Sequence, residues 1–320
     1  MNLFFEPLIS ILIPAYNCEK HIASAIRSAL EQTWEHKEII IVDDGSTDNT
    51  LKIAKSFEIE GKLKVYTQAN GGACKARNLA FSKSKGTYIQ YLDADDLLSK
   101  DKLRNQMKVA SSCESNIVIS CSWERFYDEA DIPGIAVPNR FLDRDWDQPI
   151  QWLCHSWKGK GMGQTSIWLI PREIILKAGP WDERLSINQD GEFICRTLLN
   201  SEGIRFSEHD LVYYRSGDKN SVSQTRNFTT ASSLLLSYKL YEFYTLKVNN
   251  SELVRNALAY NYMSFIYSNY DTFPELVEDA KNTLVQLGVK KLPIVGGRCF
   301  KALAHAVGFE YALRLRSILK

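Results

Sequence analysis

The 320-residue chain carries almost no net charge, with 39 Lys and Arg against 38 Asp and Glu. So weak an overall field excludes nucleic acid as the main partner. No apolar run reaches the ~18 residues of a membrane span. Met1 to Leu12 has neither a basic leader region nor a small-residue cleavage site, so the expectation is a cytoplasmic protein, soluble or peripherally attached. The seven cysteines (18, 74, 113, 121, 154, 195 and 299) are odd in number and scattered, without a C-x-x-C pair. They indicate neither a disulfide framework nor a zinc site. Internal repeats and low-complexity tracts are also lacking, and no G-x-G-x-x-G follows an apolar run, which excludes a dinucleotide-dependent dehydrogenase.

What is present is the composition of an ordinary globular protein, 45% hydrophobic and 24% charged. The charge is unevenly spread. From Lys281 to Lys320 there are eight Lys or Arg and one acid, Glu310, leaving the first 280 residues with 31 basic and 37 acidic groups. A basic, apolar C-terminal segment on an acidic body suggests attraction to an anionic membrane surface. A helix packed on the rest of the chain is the alternative, and Leu313, Leu315 and Ile318 suit either role.

Hydrophobic periodicity predicts alternating strands and helices: a strand at 8–13, a helix at 19–32, strands at 38–42 and 63–67, a helix around 74–81 and a strand at 87–92. Ser46 and Thr47 suit the N-cap of a helix carrying Leu51, Ala54 and Phe57. Four such units in about 110 residues imply right-handed crossovers and an α/β, doubly wound, mainly parallel sheet. Strand character returns at 166–170 and a helix at 191–199, and from about 229 the pattern is all-helical. The expected division is a catalytic and binding domain over 1–225 and a helical C-terminal domain over 226–320.

Ligands of such sheets sit beyond the carboxyl ends of the strands, where the polar clusters fall. Asp93-Ala94-Asp95 puts two carboxylates on one face of extended chain, an arrangement a hard divalent ion completed by diphosphate oxygens would stabilise. Capping of the next helix explains the same residues equally well. Asp43-Asp44-Gly45-Ser46 could accept from a base or ribose, or simply turn the chain. Pro14-Ala15-Tyr16 offers an aromatic ring for a base, and Arg77 a guanidinium for phosphate or a solvated helix face. Trp123, Trp146, Trp152 and Trp157 are candidates for stacking on a sugar or for burial.

Taken together and in order, the stretches ISILIPAYNCEKHIASAIRSALEQTW, EIIIVDDGSTDNT, NGGACKARNLAFSKSKGTYIQYLDADD and GPWDERLSINQDGEF resemble the inverting family 2 glycosyltransferases, whose catalytic domain has the GT-A fold. The resemblance is dense over 7–100, thinner to about 215 and absent beyond. It implies that Tyr16 stacks on the base, that Asp44 contacts base or ribose, and that Asp93 and Asp95 serve the diphosphate and a Mn²⁺ or Mg²⁺ ion, with Asp95 the direct ligand. The family's later acid pair, often Glu-Asp, appears here as Gln189-Asp190, which leaves Asp190 as the one candidate general base. Without the resemblance, Asp190 reads as an N-cap with Glu192 and Arg196 as a surface pair. The implied partners are a nucleotide-sugar donor, expected to be a UDP-sugar, and a glycan or lipid-linked acceptor. Rival readings are a sugar-nucleotide nucleotidyltransferase, whose Gly-rich basic loop is replaced here by Pro14-Ala15-Tyr16-Asn17, and a non-catalytic sugar- or partner-binding protein of the same fold.

Overall fold

Ile9–Ala15 (β1) is buried along its whole length, because it lies inside a sheet covered on both faces, where a strand needs apolar residues at every position rather than at alternate ones. The computed structural model describes residues 6–113, 116–128, 140–217 and 226–319. Around β1 the first half alternates as expected: α1 (Ile22–Leu30), β2 (Lys37–Asp43), α2 (Thr50–Lys55), β3 (Leu63–Thr67), α3 (Ala73–Lys83), β4 (Tyr88–Tyr91), β5 (Leu97–Leu98) and α4 (Lys102–Ser111). Then come β6 (Ile117–Phe126), α5 (Pro149–His155) continued by one π-turn, β7 (Leu169–Pro171), α6 (Arg172–Ala178), α7 (Gln189–Leu199) and β8 (Gly203–Arg215).

Among the described residues eight strands form one sheet in the order β3-β2-β1-β4-β7-β6-β8-β5. The pairs among β1, β2, β3 and β4 are parallel, as is β6 with β8, while β7 and β5 pair antiparallel to their neighbours. α3 packs on β1 and β2, and α4 on β6 and β8. Two expectations need correction. The strand foreseen at 166–170 is a 3₁₀ turn over Thr165–Ile167 followed by the three-residue β7. Ser46 and Thr47 do not cap α2, whose N-cap is Asn49.

By internal contacts the chain divides into two units: 1–149, 161–183 and 196–219 make up the sheet unit, and 150–160, 184–195 and 220–320 make up the helical one. The short segments 150–160 and 184–195, expected within the first domain, group with the helices, and the expected boundary at 225/226 adjoins residues outside the described set. The helical unit contains α8 (Phe228–Val248), α9 (Glu252–Asn269), α10 (Pro274–Leu287), α11 (Arg298–Val307) and α12 (Phe309–Ile318). α8 opens with a capping box, Asn227 Oδ1 accepting from Thr230 N at 2.9 Å and Thr230 Oγ1 from Asn227 N at 3.0 Å. α10 starts with Pro274 and stops at Gly288, whose φ of 66° suits a left-handed C-cap. Among the described residues no helix is long and apolar enough to cross a membrane.

Candidate functional site

The carboxyl ends of β1 and β2 are stitched together by side chains. Asn17, at φ 45°, donates its N–H to Ser46 Oγ at 3.0 Å and accepts from Thr47 N at 2.8 Å. Cys18 N donates to Thr50 Oγ1 at 2.8 Å, and Glu19 exchanges bonds with Asp48 and Asn49. The hydroxyls foreseen as helix caps therefore fasten the β1 loop instead, and Tyr16, half exposed, stands on that braced loop after buried Pro14 and Ala15. Burial pushes the Cys18 thiol up to about 12, which keeps it an inert filler of the brace.

Asp43 and Asp44 end β2, and both are buried. Asp44 Oδ1 accepts from Gln68 Nε2 at 2.6 Å and Gly71 N at 2.9 Å, while Oδ2 accepts from Gly72 N at 2.8 Å and Asn70 Nδ2 at 3.3 Å. A carboxylate offers about four acceptor positions. All four are filled from within the protein, so a base or ribose contact at Asp44 would displace one of these donors. Asp43 differs: its Oδ2 accepts from Ser46 N at 3.2 Å, but its buried Oδ1 has no hydrogen-bond partner among the described residues. Gly45 is obligatory in this turn, because at φ 73° a Cβ would stand 2.8 Å from Asn70 N.

The loop held by Asp44 opens α3, which carries Arg77. Rather than lying on a solvated face, Arg77 is 7% exposed, donates to Asp93 Oδ1 at 2.7 Å and stacks its guanidinium 4.4 Å over the Trp181 ring. Trp181 is clamped by Asn78, which bonds both its N–H and its carbonyl, and it meets Tyr91 edge to face at 5.2 Å. This Arg–Trp–Tyr stack beneath the acids was not apparent in the sequence. Beside it, buried Lys102 donates to Gln90 Oε1 at 2.5 Å and Gln106 Oε1 at 2.8 Å. Gln90 in turn donates to the Ser166 carbonyl at 2.7 Å, and the Ser166 hydroxyl accepts from Asp93 N at 3.4 Å.

At the end of β4 the three acids diverge. Asp93 is partly buried and paired with Arg77, and Asp95 is exposed. Asp96 is buried, and its carboxyl is pushed well above the usual range by desolvation and then by Asp95 and Asp93; its Oδ1 accepts from Arg215 N at 2.9 Å. Among the described residues no group of three or more His, Cys, Asp or Glu gathers in metal-binding geometry. Mg²⁺ and Mn²⁺ suit such a place, since they are held by one or two carboxylates and otherwise by water and phosphate oxygens. The donor set of Asp95 with Asp93 fits that chemistry.

Asp190 stands in the helical unit, in the first turn of α7, with Asn188 immediately before the helix at φ 55°. Gln189, at the family's glutamate position, turns back to donate to the Leu185 and Ser186 carbonyls. Glu192 and Arg196 are not a surface pair: both are buried, and Arg196 donates to the carbonyls of Ala178, Gly179 and Pro180. Of the four tryptophans, Trp123, Trp146 and Trp152 are each 6% exposed, while Trp157 stacks on Tyr241 at 5.0 Å.

Residues 10–158 match the family model described as glycosyl transferase family 2. An uncharacterized glycosyltransferase of Rickettsia typhi is 29% identical over 253 residues, covering 78% of this chain and 75% of its own. The chain belongs to glycosyl transferase family 2. It spans 63% and 42% of two Bacillus subtilis glycosyltransferases that it also matches. Among solved structures, S. aureus TarS in complex with UDP-GlcNAc superposes with a TM-score of 0.69 at 18% identity, over 95% of this chain and 89% of that one. A Pyrobaculum calidifontis mannosyltransferase in complex with GDP-Man and Mn²⁺ gives 0.58 at 15% identity, over 97% and 81%. These likenesses establish the glycosyltransferase A-type fold of this family 2 enzyme, with its C-terminal helices.

Proposed function

We propose that this family 2 glycosyltransferase moves a sugar from a UDP-sugar to a hydroxyl of a glycan or lipid-linked acceptor, with inversion and with Mn²⁺ or Mg²⁺ held by Asp95 and Asp93. The observation that carries this reading is the strand-end cluster of Arg77, Asp93 and exposed Asp95. Arg77 offsets part of the charge of Asp93 beside the exposed Asp95, so two carboxylates can stand at one strand end as a donor set for an incoming ion. The ion, when bound, supplies positive charge for the departing diphosphate. Tyr16 faces the base, and the Asp43-Asp44 end of β2 adjoins the nucleoside, with Asp44 holding the neighbouring loop in shape. Asp190 is assigned the base: its carboxylate takes the acceptor hydroxyl proton as the oxygen bonds to the anomeric carbon and the bond from that carbon to the diphosphate breaks. A single displacement inverts the centre. TarS, with its UDP-GlcNAc, supports UDP-sugars as the first donors to try, and the Pyrobaculum enzyme supports Mn²⁺ as the first ion.

A thermal-shift panel of UDP, GDP, dTDP and CMP sugars with and without Mn²⁺ tests the reading. A ligand at about 100 times its Kd adds about 2.7 kcal/mol of stability, so a UDP-sugar should raise the melting temperature more with Mn²⁺ than without. If no nucleotide shifts the melting temperature, the donor site is misassigned.

The proposal extends to an anionic membrane surface for the C-terminal segment, on the cytoplasmic face. Lys290, Lys291, Arg298 and Arg314 are exposed, as are Leu292, Val307, Tyr311, Ile318 and Leu319. Two other cations have partners on the chain, Lys281 on Glu310 at 2.7 Å and Arg316 over the Tyr267 ring at 4.3 Å, and Leu313 is fully buried; Lys320 lies outside the described residues. Four exposed cations at about 1 kcal/mol each near an anionic leaflet give reversible binding. The chain should pellet with phosphatidylserine vesicles at low salt and detach as salt rises. A chain that ignores those vesicles has a purely structural tail.

A further inference from the structure

Within the helical unit, one face of α8 grips the turn that carries Asp190. Ser233, Ser237 and Tyr241 are spaced four apart, so their side chains stack along one side of the helix. Ser233 Oγ accepts from Ser186 N at 2.9 Å and Ile187 N at 3.1 Å, and it donates back to the Ile187 carbonyl at 3.1 Å. Asn188 Nδ2 donates to Ser237 Oγ at 2.7 Å and to Tyr241 Oη at 2.8 Å. Asn188 has a left-handed φ of 55°, which asparagine tolerates better than other non-glycine residues, and these bonds hold it there. The next contact is closer still. A Cβ on Gly191 would fall 2.1 Å from Tyr241 Oη and 2.6 Å from Asn188 Oδ1, so only glycine lets the hydroxyl reach under the first turn of α7. Trp157 closes the other side, stacked on the Tyr241 ring at 5.0 Å and 21°.

We propose that Ser233, Ser237 and Tyr241 are positioning residues that fix the 186–191 turn and thereby aim the Asp190 carboxylate, making the C-terminal helices part of the catalytic apparatus. This rests on Asp190 being the base. Exposed surface turns do not need three buried hydroxyls and a glycine fitted to a phenol; Ser233, Ser237 and Tyr241 are 5%, 0% and 3% exposed. Tyr241 is also a neutral partner, since burial, followed by Cys195, Tyr238 and Asp190, holds its hydroxyl well above the ordinary phenol value. A neutral hydroxyl there orients the turn without adding a second charge beside the base.

The experiment compares Tyr241→Phe, Ser237→Ala and Asp190→Asn with the full chain, and with Tyr262→Phe as a control. Tyr262 is a buried tyrosine of the same unit whose hydroxyl donates to Glu242 at 2.6 Å. UDP release is followed from the sugar nucleotide that the thermal panel selects, with water as acceptor, alongside UDP affinity and amide exchange of the peptide covering 186–192. Tyr241→Phe and Ser237→Ala should lower kcat by about tenfold, as misplacement of a reacting group does, leave UDP affinity within about twofold and speed exchange at 186–192. Tyr262→Phe should lower the melting temperature while keeping kcat. The double variant of Asp190→Asn with Tyr241→Phe should be no slower than Asp190→Asn alone, because residues acting as one unit are not additive. Parental kcat in Tyr241→Phe, unchanged exchange, or a double variant slower by the product of the two effects overturns the ladder while the base assignment stands. Parental kcat in Asp190→Asn removes the base assignment and the ladder's purpose with it.

Discussion

Replacing Asp44 by Asn separates a carboxylate that shapes a loop from one that reads a ligand. In the native protein its two oxygens take four donors: Gln68 and Gly71 on one, Gly72 and Asn70 on the other. An asparagine keeps one oxygen and places an NH₂ against donors on the other side, so two bonds are lost and two like groups face each other. Hydrogen bonds to a charged acceptor contribute about 1.5–3 kcal/mol each, and water can reach the exposed Gly71 and Gly72, so the net loss should be about 2–4 kcal/mol. In a domain of about 200 residues each 1 kcal/mol moves the melting temperature by about 2–4 °C, so a fall of about 4–16 °C is expected, read by circular dichroism. Since Gly72 opens α3 and α3 carries Arg77, affinity for UDP and for the intact UDP-sugar should fall together. Tyr16→Ala should instead weaken both without moving the melting temperature, because Tyr16 is half exposed. An Asp44→Asn protein that melts like its parent but no longer binds UDP would refute the loop-support reasoning and return Asp44 to direct contact.

The legible elements were those whose period is unbroken. β1 and β2 announce themselves because a strand buried on both faces must be continuously apolar, and the segments ISILIPA and KEIIIVD are nearly that. The two longest strands, β6 and β8, escaped. β8 reads GIRFSEHDLVYYR, and its alternation breaks where Ser207 pairs with Cys121 but the next pair is Leu211 with Ser122, leaving Glu208 to Asp210 as a bulge. A buried acid there, Asp210, bonded to Asn105 at 2.9 Å, looks like a loop residue in the sequence and is a strand residue in the fold.

The candidate site was legible as residue types and not as partners. Acids and an arginine at strand ends can be seen in a sequence; that Arg77 belongs to Asp93 and Trp181, or that both Asp44 oxygens are already satisfied, depends on groups up to 104 positions away, such as Trp181 from Arg77. Asn188 and Gly191 carried the best local signal for the turn before α7, an asparagine fit for φ above zero and a glycine in a first helical turn. Neither reveals that a tyrosine 53 positions on from Asn188 is the reason.

Asp95→Ala should abolish the Mn²⁺ dependence of UDP binding in calorimetry, and an unchanged dependence would move the ion elsewhere. Asp190→Asn should keep UDP affinity and cut turnover by about 10² to 10⁴, the usual loss for a general base; equal losses of binding and rate would mark it as structural. The last expectation concerns Lys102, whose fully buried ammonium sits between Gln90 and Gln106, and whose pKa is lowered from 10.5 chiefly by desolvation. A lysine with a depressed folded-state value binds fewer protons folded than unfolded in the window between that value and 10.5, so stability rises with pH there and is lost as pH falls. Measured by urea denaturation across that window, the parent should therefore gain stability with rising pH relative to Lys102→Met, which has no proton to shed. Surface lysines titrate alike in both proteins and cancel in the comparison. Parallel curves for the two would mean that the ammonium is not desolvated, and the polar link from Lys102 through Gln90 and Ser166 to Asp93 would then have water in it.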